Sequence, residues 1–235
     1  MADFTDDLII EHPKSIRQKV YEYLRNQILS NHIPAGTRLV EGRIARQIKV
    51  SRTPIREALH ILEMEGLIES LPRVGYRVRA LKWEDVEELC EIRAVNEILA
   101  ARWAMQRIGP EQLAAMKANI DAAETEIKAG QPELFVERDA EFHEMLTAAS
   151  GSQRLLELCQ MFRRHMLRYR IESLYVAEAG LRAVAGHRRI LSCLEANDPV
   201  GIETAIRDHL DQSKRDIRLF AFSAKARPDV FKEGN

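Results

Sequence analysis

The sequence has few cysteines and few aromatic residues, and it contains no long uncharged apolar run. The three cysteines, Cys90, Cys159 and Cys193, are an odd number without the spacing of a metal-binding knuckle, so we expect reduced thiols rather than a disulfide framework. Without about 18 consecutive uncharged apolar residues, the chain has no candidate membrane span. The start, MADFTDDLIIEHP, is acidic and lacks the basic beginning of a secretory signal. These absences predict a cytoplasmic protein with no membrane partner.

The net charge of −1 hides an uneven distribution along the chain. Residues 13–80 contain 13 Lys and Arg against 6 Asp and Glu, whereas residues 81–235 contain 22 against 26. The first third is therefore basic and the remainder mildly acidic. This asymmetry favours contact of the first third alone with a polyanion such as nucleic acid.

The segment 51–66, SRTPIREALHILEMEG, predicts a short helix with clear ends. Ser51 or Thr53 can cap its first turn, and Pro54 is tolerated there because the missing N–H has no helical partner. Gly66 is the residue type that most readily adopts the left-handed conformation after a helix. The apolar residues between these ends share one helical face.

The opposite face of this helix carries Arg52, Arg56 and His60, each four residues after the last. An arginine-bearing helix fits the major groove of DNA, where arginine can bond guanine bidentately. The alternative is an ordinary solvated charged face, and the flanking sequence decides between the two.

The flanking sequence predicts the rest of a winged helix-turn-helix. Helices are expected at 14–31 and 41–47, and alternating residues predict strands at 67–71 and 76–79. The second helix is expected to contribute three residues to the core, Ile44, Ala45 and Ile48. Tyr76 and Val78 would face the helices.

Beyond residue 80 the pattern is entirely helical. Six amphipathic helices are predicted, at 84–107, 111–128, 132–149, 153–176, 181–196 and 199–222. Gly180 is one of the predicted breaks between them. The fold class is therefore mainly α, an N-terminal winged helix-turn-helix followed by an all-helical antiparallel bundle. The predicted boundaries are a disordered segment 1–12, a DNA-binding domain 13–80, a helical domain 81–223 and a loose tail 224–235.

Three of these helices place an ionisable residue on a stripe that is otherwise apolar. Asp139 and His143 lie one turn apart on the helix predicted at 132–149. His187 and His209 interrupt the apolar stripes of the last two predicted helices. A carboxylate and three imidazoles are a ligand set for a divalent transition metal. The other interpretation is that each histidine is a core residue satisfied by a neighbour.

The stretch IPAGTRLVEGRIARQIKVSRTPIREALHILEMEGLIESLPRVGYRV resembles the DNA-binding domain of the GntR family of bacterial transcription regulators. It contains the family's G-x-x-L turn, V-S-R-T-P-x-R-E-A-L run, E-G-L and wing R-x-G-x-x-V. The resemblance implies that Arg52, Thr53 and Arg56 touch the operator and that Gly75 approaches it. Lys49 replaces the glycine usual before V-S-R-T-P and is expected to add a phosphate contact. The DNA-contacting set is completed by Arg43, Ser51, His60 and Arg73.

Residues 84–222 resemble the FCD effector domain of the FadR branch of that family, and the six helices favour its VanR-like subgroup. D-A-E-F-H, G-H-R-R-I-L and R-D-H-L match the metal-binding members in order and spacing. The resemblance implies a metal held by Asp139, His143, His187 and His209. Zinc suits these ligands best, and nickel, manganese or iron also fit.

The usual effectors of the family are carboxylates, so a small organic acid is the expected ligand. The resemblance places Arg93 in the effector pocket, where its guanidinium could bond a carboxylate. Pairing with Glu97 at i+4 is the equal alternative. His165 is a further candidate for the pocket, with core packing as its alternative.

The sequence therefore predicts a metal-containing regulator that binds operator DNA as a homodimer and responds to an effector. One alternative keeps the regulator and makes the metal purely structural. A second alternative, a metal-dependent hydrolase, requires a second histidine where Thr147 stands and a general base that no residue evidently supplies. We accordingly expect no enzymatic activity.

Overall fold

The computed structural model of the protein describes residues 14–222, apart from the side chains of Glu133 and Glu172. The predictions of a disordered segment 1–12 and a loose tail 224–235 fall on residues outside this range, as do residue 13 of the predicted DNA-binding domain and residue 223 of the predicted helical domain. The chain divides into two units after Ala80.

The first unit combines three helices with a small antiparallel sheet. Its elements are α1 (Ile16–Leu29), β1 (Arg38–Leu39), α2 (Glu41–Ile48), α3 (Arg52–Met64), β2 (Ile68–Leu71) and β3 (Gly75–Val78). The strands lie in the order β1-β3-β2. The winged helix-turn-helix prediction is thus confirmed, with one addition: β1 was not predicted, because two residues are too few to show an alternating pattern.

The core of this unit is formed by the apolar faces that the sequence predicted, with one exception. Ile44 and Ala45 are buried, but Ile48 is 37% exposed, so its assignment to the core is wrong. The reason is that α2 ends at Ile48, and the chain then turns through Lys49, whose φ of +55° is left-handed. Lys49 thus occupies the conformation that explains why glycine is usual at this position.

The wing is the hairpin of β2 and β3, and its turn brings Gly75 close to β1. Gly75 has a φ of +113°, and a Cβ built on it would lie 2.6 Å from the carbonyl oxygen of Leu39. Only glycine fits this approach without a shift of the backbone. Val78 is buried as predicted, while Arg77 points outward.

The second unit contains six α-helices within the described residues. They are α4 (Trp83–Ala104), α5 (Pro110–Lys128), α6 (Phe135–Ala148), α7 (Gln153–Leu174), α8 (Ala177–Glu195) and α9 (Pro199–Ala221). The predicted helical bundle is confirmed. Gly180 is not a break, however, because α8 already begins at Ala177, and this glycine instead allows close packing, with its ideal Cβ position only 2.9 Å from Ile127 Cδ1.

The helices of the second unit enclose a large apolar core that includes Phe135, Phe142 and Ile190. Helix α7 packs against α6, α8 and α9, while α5 packs against α6 and α8. Helix α8 also packs against α9, and α4 packs against α6, α7 and α9. Among residues 14–222, every helix falls short of the length or the apolar character needed to cross a bilayer.

Substitution of Gly75 by alanine is expected to loosen the wing more than substitution of Gly36. Both glycines have positive φ, but a Cβ on Gly36 meets no atom within 4 Å. The Gly36→Ala variant therefore carries only the conformational cost, about 1–2 kcal/mol, and Gly75→Ala adds the clash with Leu39. Amide hydrogen exchange of β3, with α9 as internal reference, measures the difference. Equal protection in the two variants would contradict the close approach.

Candidate metal centre and DNA-contacting surface

The predicted DNA-contacting residues lie on the outside of the first unit. Eight of the nine are exposed, and Gly75 is half-buried in the wing. The exposed residues are Arg43, Lys49, Ser51, Arg52, Thr53, Arg56, His60 and Arg73. A partner in solution can therefore reach these side chains.

A groove between α2, the start of α3 and the wing gathers much of the positive charge. Arg43, Arg46, Arg52 and Arg73 all line this groove, which has a volume of about 550 Å³ and is open to solvent. Phosphate contacts from such a cluster fix the register of a protein on DNA, whereas base contacts carry the sequence information. Arg46 belongs to this groove although the sequence did not single it out.

The two arginines of α3 both reach back toward α2. The guanidinium of Arg56 donates two parallel hydrogen bonds to the carboxylate of Glu41, with N···O distances of 3.0 Å. The guanidinium of Arg52 lies against Gly42, at 3.5 Å from that residue's ideal Cβ position. Helix α2 therefore limits the positions that both side chains can adopt.

In the second unit, the four predicted metal ligands converge. One ligand atom from each of Asp139, His143, His187 and His209 lies within 4.8 Å of the others. The Nε2 atoms of His143 and His209 are 3.3 Å apart, and Oδ1 of Asp139 lies 3.6 Å from Nε2 of His187 and 3.9 Å from Nε2 of His143. Ligand atoms on one zinc ion, at bond lengths of about 2.1 Å, are separated by about 3 to 4.2 Å. The three distances fit this range.

The protonation of the imidazoles suits ligation. Burial lowers the pKa of all three: that of His209 to about 3, that of His187 well below its ordinary value, and that of His143 despite the opposing effect of Glu97. Neutral rings keep the lone pair that a metal requires. Nε2 of His187 is also buried without a hydrogen-bond partner among the described residues. A cation bound at this point would satisfy it.

The carboxylate of Asp139 is held by arginines from α7. Arg170 donates one hydrogen bond to each carboxylate oxygen, both at 3.0 Å, and Nη2 of Arg163 lies 3.7 Å from Oδ2. Burial alone would raise the pKa of Asp139, but its interactions with Arg170, with the rings of His143 and His187 and with Arg163 outweigh burial and lower the pKa well below its usual value. An ionised carboxylate has about four lone-pair directions, so one oxygen can serve both Arg170 and a metal.

Two further features fix the rings. Phe142 stacks on His187 with 4.0 Å between ring centroids and 17° between ring planes. Gly186 lets α8 approach the ring of His209, since a Cβ at that position would lie 2.5 Å from Nδ1. Phe142, which precedes His143 in the sequence, thus positions His187, and Gly186, which precedes His187, makes room for His209.

The two predicted effector residues lie in different places. Arg93 is 1% exposed and pairs with Glu97, with Nε and Nη2 at 2.9 and 2.8 Å from Oε1. His165 is half-buried on α7. Neither residue lines the small cavity that reaches His209, whose volume of about 10 Å³ is about the space that one water molecule needs. Its polar lining is formed by Arg170, Ser173, His209, Gln212, Ser213 and Asp216.

Sequence reasoning missed Arg170, which contacts Asp139 and lines this cavity. A signal was present, because Arg170 shares one side of α7 with the buried residues Cys159, Met166 and Ser173. A charged residue on a buried stripe requires a partner, but the sequence does not say which helix provides it.

The comparisons with known proteins agree with both units. The chain matches the bacterial regulatory proteins of the gntR family over residues 16–78 and the FCD domain over residues 88–212. It is 28% identical over 203 residues to the HTH-type transcriptional repressor RspR of Escherichia coli K12, covering 86% of this chain and 89% of the repressor.

Solved structures share the fold. McbR/YncC of E. coli superposes with a TM-score of 0.70 at 21% identity, covering 90% of this chain and all of that one. A metal-free FCD domain, that of TM0439, superposes with a TM-score of 0.51 at 21% identity, covering 59% of this chain and 94% of that domain. The matched families and the relatives are transcription regulators, not enzymes. Because the FCD match alone spans more than half of the chain, the protein belongs to the GntR family of bacterial transcription regulators, in the FadR-like branch that carries an FCD domain.

Proposed function

We propose that this protein is a metal-containing repressor that binds operator DNA as a homodimer and responds to a small organic acid. The observation that carries the proposal is the convergence of Asp139, His143, His187 and His209 in the helical unit. Repression is inferred by analogy with RspR, which is named a transcriptional repressor.

The DNA-binding part of the proposal rests on the exposed face of the first unit. Arg52 and Arg56 emerge from the first turns of α3, the part of a recognition helix that contacts base edges. The arginines of the groove would neutralise phosphates, and the wing would lie along the backbone or minor groove. Binding should therefore weaken steeply as salt rises.

Replacement of Arg52 by alanine is expected to weaken specific DNA binding while leaving metal affinity unchanged. Loss of one bidentate contact to guanine costs about 1–3 kcal/mol, or roughly 5- to 150-fold in affinity. The parent protein first selects its operator from a random-sequence library, and the affinities of parent and variant for that site and for unrelated DNA are then compared by gel shift.

The control for Arg52→Ala is Arg17→Ala, which also removes an exposed positive charge, here from the start of α1. It should preserve the ratio of specific to non-specific affinity. An Arg52→Ala variant with the same ratio as the control would remove Arg52 from the base-reading set.

The dimer part of the proposal rests on an apolar stripe that remains exposed on the second unit. Val95, Leu99 and Trp103 repeat every four residues along α4 and are 63%, 39% and 37% exposed. Leu158 on α7, which packs against α4, is 43% exposed. Large apolar side chains in a row on a helix face are typical of a protein–protein interface, and a second copy of the chain would cover them.

In the metal part of the proposal, the four ligands leave one or two positions open on a five- or six-coordinate ion. Zinc is the preferred ion, with nickel, manganese and iron as alternatives. Within the surrounding cluster, Asp139 and Glu97 face the guanidinium groups of Arg93, Arg163 and Arg170. A divalent cation therefore adds positive charge that no carboxylate of this cluster balances, which favours an anionic ligand in the cavity beside Arg170 and His209.

Replacement of His187 by alanine is expected to weaken zinc binding by more than about a hundredfold, since the loss of a ligand exceeds the usual effect of losing an outer-shell partner. Competition with a chromophoric chelator measures the affinity. His165→Ala removes an imidazole outside the cluster and should bind zinc like the parent. Equal zinc affinity in the parent and His187→Ala would rule out this site.

Titration with small mono- and dicarboxylic acids is expected to give binding only in the zinc-loaded protein. Calorimetry on zinc-loaded and chelator-treated samples measures this binding, and gel shifts report whether the bound acid changes operator affinity.

The nearly complete burial of the four metal ligands favours the alternative of a structural ion. Identical responses of the two samples would support that alternative and contradict sensing through the metal.

A further inference from the structure

One carboxylate of α4, that of Glu97, lies between a guanidinium and a proposed metal ligand. Its Oε2 is 2.9 Å from Nδ1 of His143. Its Oε1 accepts a hydrogen bond from Nε of Arg93 at 2.9 Å. The three side chains are each at most 1% exposed, so water does not compete for these contacts.

The contact determines which nitrogen of His143 carries the proton. A carboxylate paired with Arg93 can only accept hydrogen bonds. Nδ1 of His143 must therefore carry the hydrogen, which leaves the lone pair of the neutral ring on Nε2. That atom faces the centre of the cluster, 3.3 Å from Nε2 of His209 and 3.9 Å from Oδ1 of Asp139.

We propose that Glu97 is a positioning residue of the metal centre, which fixes His143 in the Nδ1–H tautomer and directs Nε2 toward the ion. Arg93 then serves to hold and neutralise Glu97, and it is not the residue that binds the effector. The inference rests on the proposed function, in which the cluster binds a metal. It extends that function from the four ligands on α6, α8 and α9 to a pair on α4.

The position of Arg93 away from the cavity at His209 agrees with a role in holding Glu97. Arg93 is not among the residues that line the cavity at His209, whereas Arg170 is. Outer-shell carboxylates that accept a hydrogen bond from a ligating histidine set its tautomer and orientation and increase its basicity. The arrangement of Glu97 on His143 has the contacts that such a role requires.

The test is the Glu97→Gln variant, in which the side-chain shape is kept. The amide oxygen remains the best acceptor for Arg93, so the NH2 group is left facing Nδ1 of His143. A donor at that position favours the opposite tautomer, with the hydrogen on Nε2 and the lone pair turned away from the ion. We expect zinc affinity to fall about 10- to 100-fold.

Two measurements separate positioning from simple stabilisation. Long-range 1H–15N correlation spectra of the metal-free protein, with histidine labelled, report the tautomer of His143, which is assigned by comparison with a variant lacking it. Chelator competition reports zinc affinity. We expect the Nδ1–H signature in the parent and its loss in Glu97→Gln.

The matched control is Glu126→Gln. Glu126 is a partly buried carboxylate on α5 that pairs with Arg138 at 2.9 Å, and it lies outside the cluster. Both variants lose an ion pair, but only Glu97→Gln should change the tautomer and the zinc affinity. A Glu97→Gln protein with the parent's tautomer and zinc affinity would overturn the inference.

A double variant covers the case in which Glu97→Gln folds poorly because Arg93 is left unpaired. In R93M/E97Q no guanidinium competes for the amide oxygen, which can then accept the hydrogen of Nδ1. We expect the double variant to recover the Nδ1–H signature and to bind zinc more tightly than E97Q. No recovery in a folded double variant would count against the inference.

The proposed function and the role of Glu97 can fail independently. If the parent itself binds neither zinc nor another of the candidate ions, the proposed function fails. The spectra of the metal-free protein still test whether Glu97 sets the tautomer of His143.

Discussion

The buried charge of Asp139 is the constraint on which the arrangement of the helical unit depends. A carboxylate that is 2% exposed must be paired, because an isolated ion in an apolar interior costs several kcal/mol. Arg170 satisfies it with two hydrogen bonds from α7, and Arg163 of the same helix lies close by. Helices α6 and α7 are thereby fixed relative to each other, and the three histidines approach a carboxylate whose orientation is already set.

Desolvation also decides the state of the histidines. Because burial lowers the pKa of His143, His187 and His209, the rings remain neutral at physiological pH and can act as ligands. The same burial makes any unpaired nitrogen costly. The pair of Arg93 and Glu97 satisfies one ring from outside the cluster, and the inward nitrogens are left facing one another.

Arginine has opposite roles in the two units because its environment differs. In the first unit, Arg43, Arg52 and Arg73 line an open groove where their donors are available to phosphates or bases. In the second unit, Arg93 and Arg170 are buried and committed to carboxylates. Sequence composition records only the excess of basic residues in the first unit. It does not distinguish a guanidinium that binds a partner from one that neutralises a buried acid.

The sequence by itself determined the helices, the winged helix-turn-helix and the four residues of the cluster, because each leaves a local trace: a helical period, an alternation, or a polar residue on an apolar stripe. Only the tertiary structure decided which groups meet across helices. Glu97 and Arg170 are far in sequence from the residues they hold, Gly186 acts on a ring of another helix, and Ile48 leaves the core because its helix ends there. These contacts depend on distances between elements, which hydrophobic periodicity does not encode.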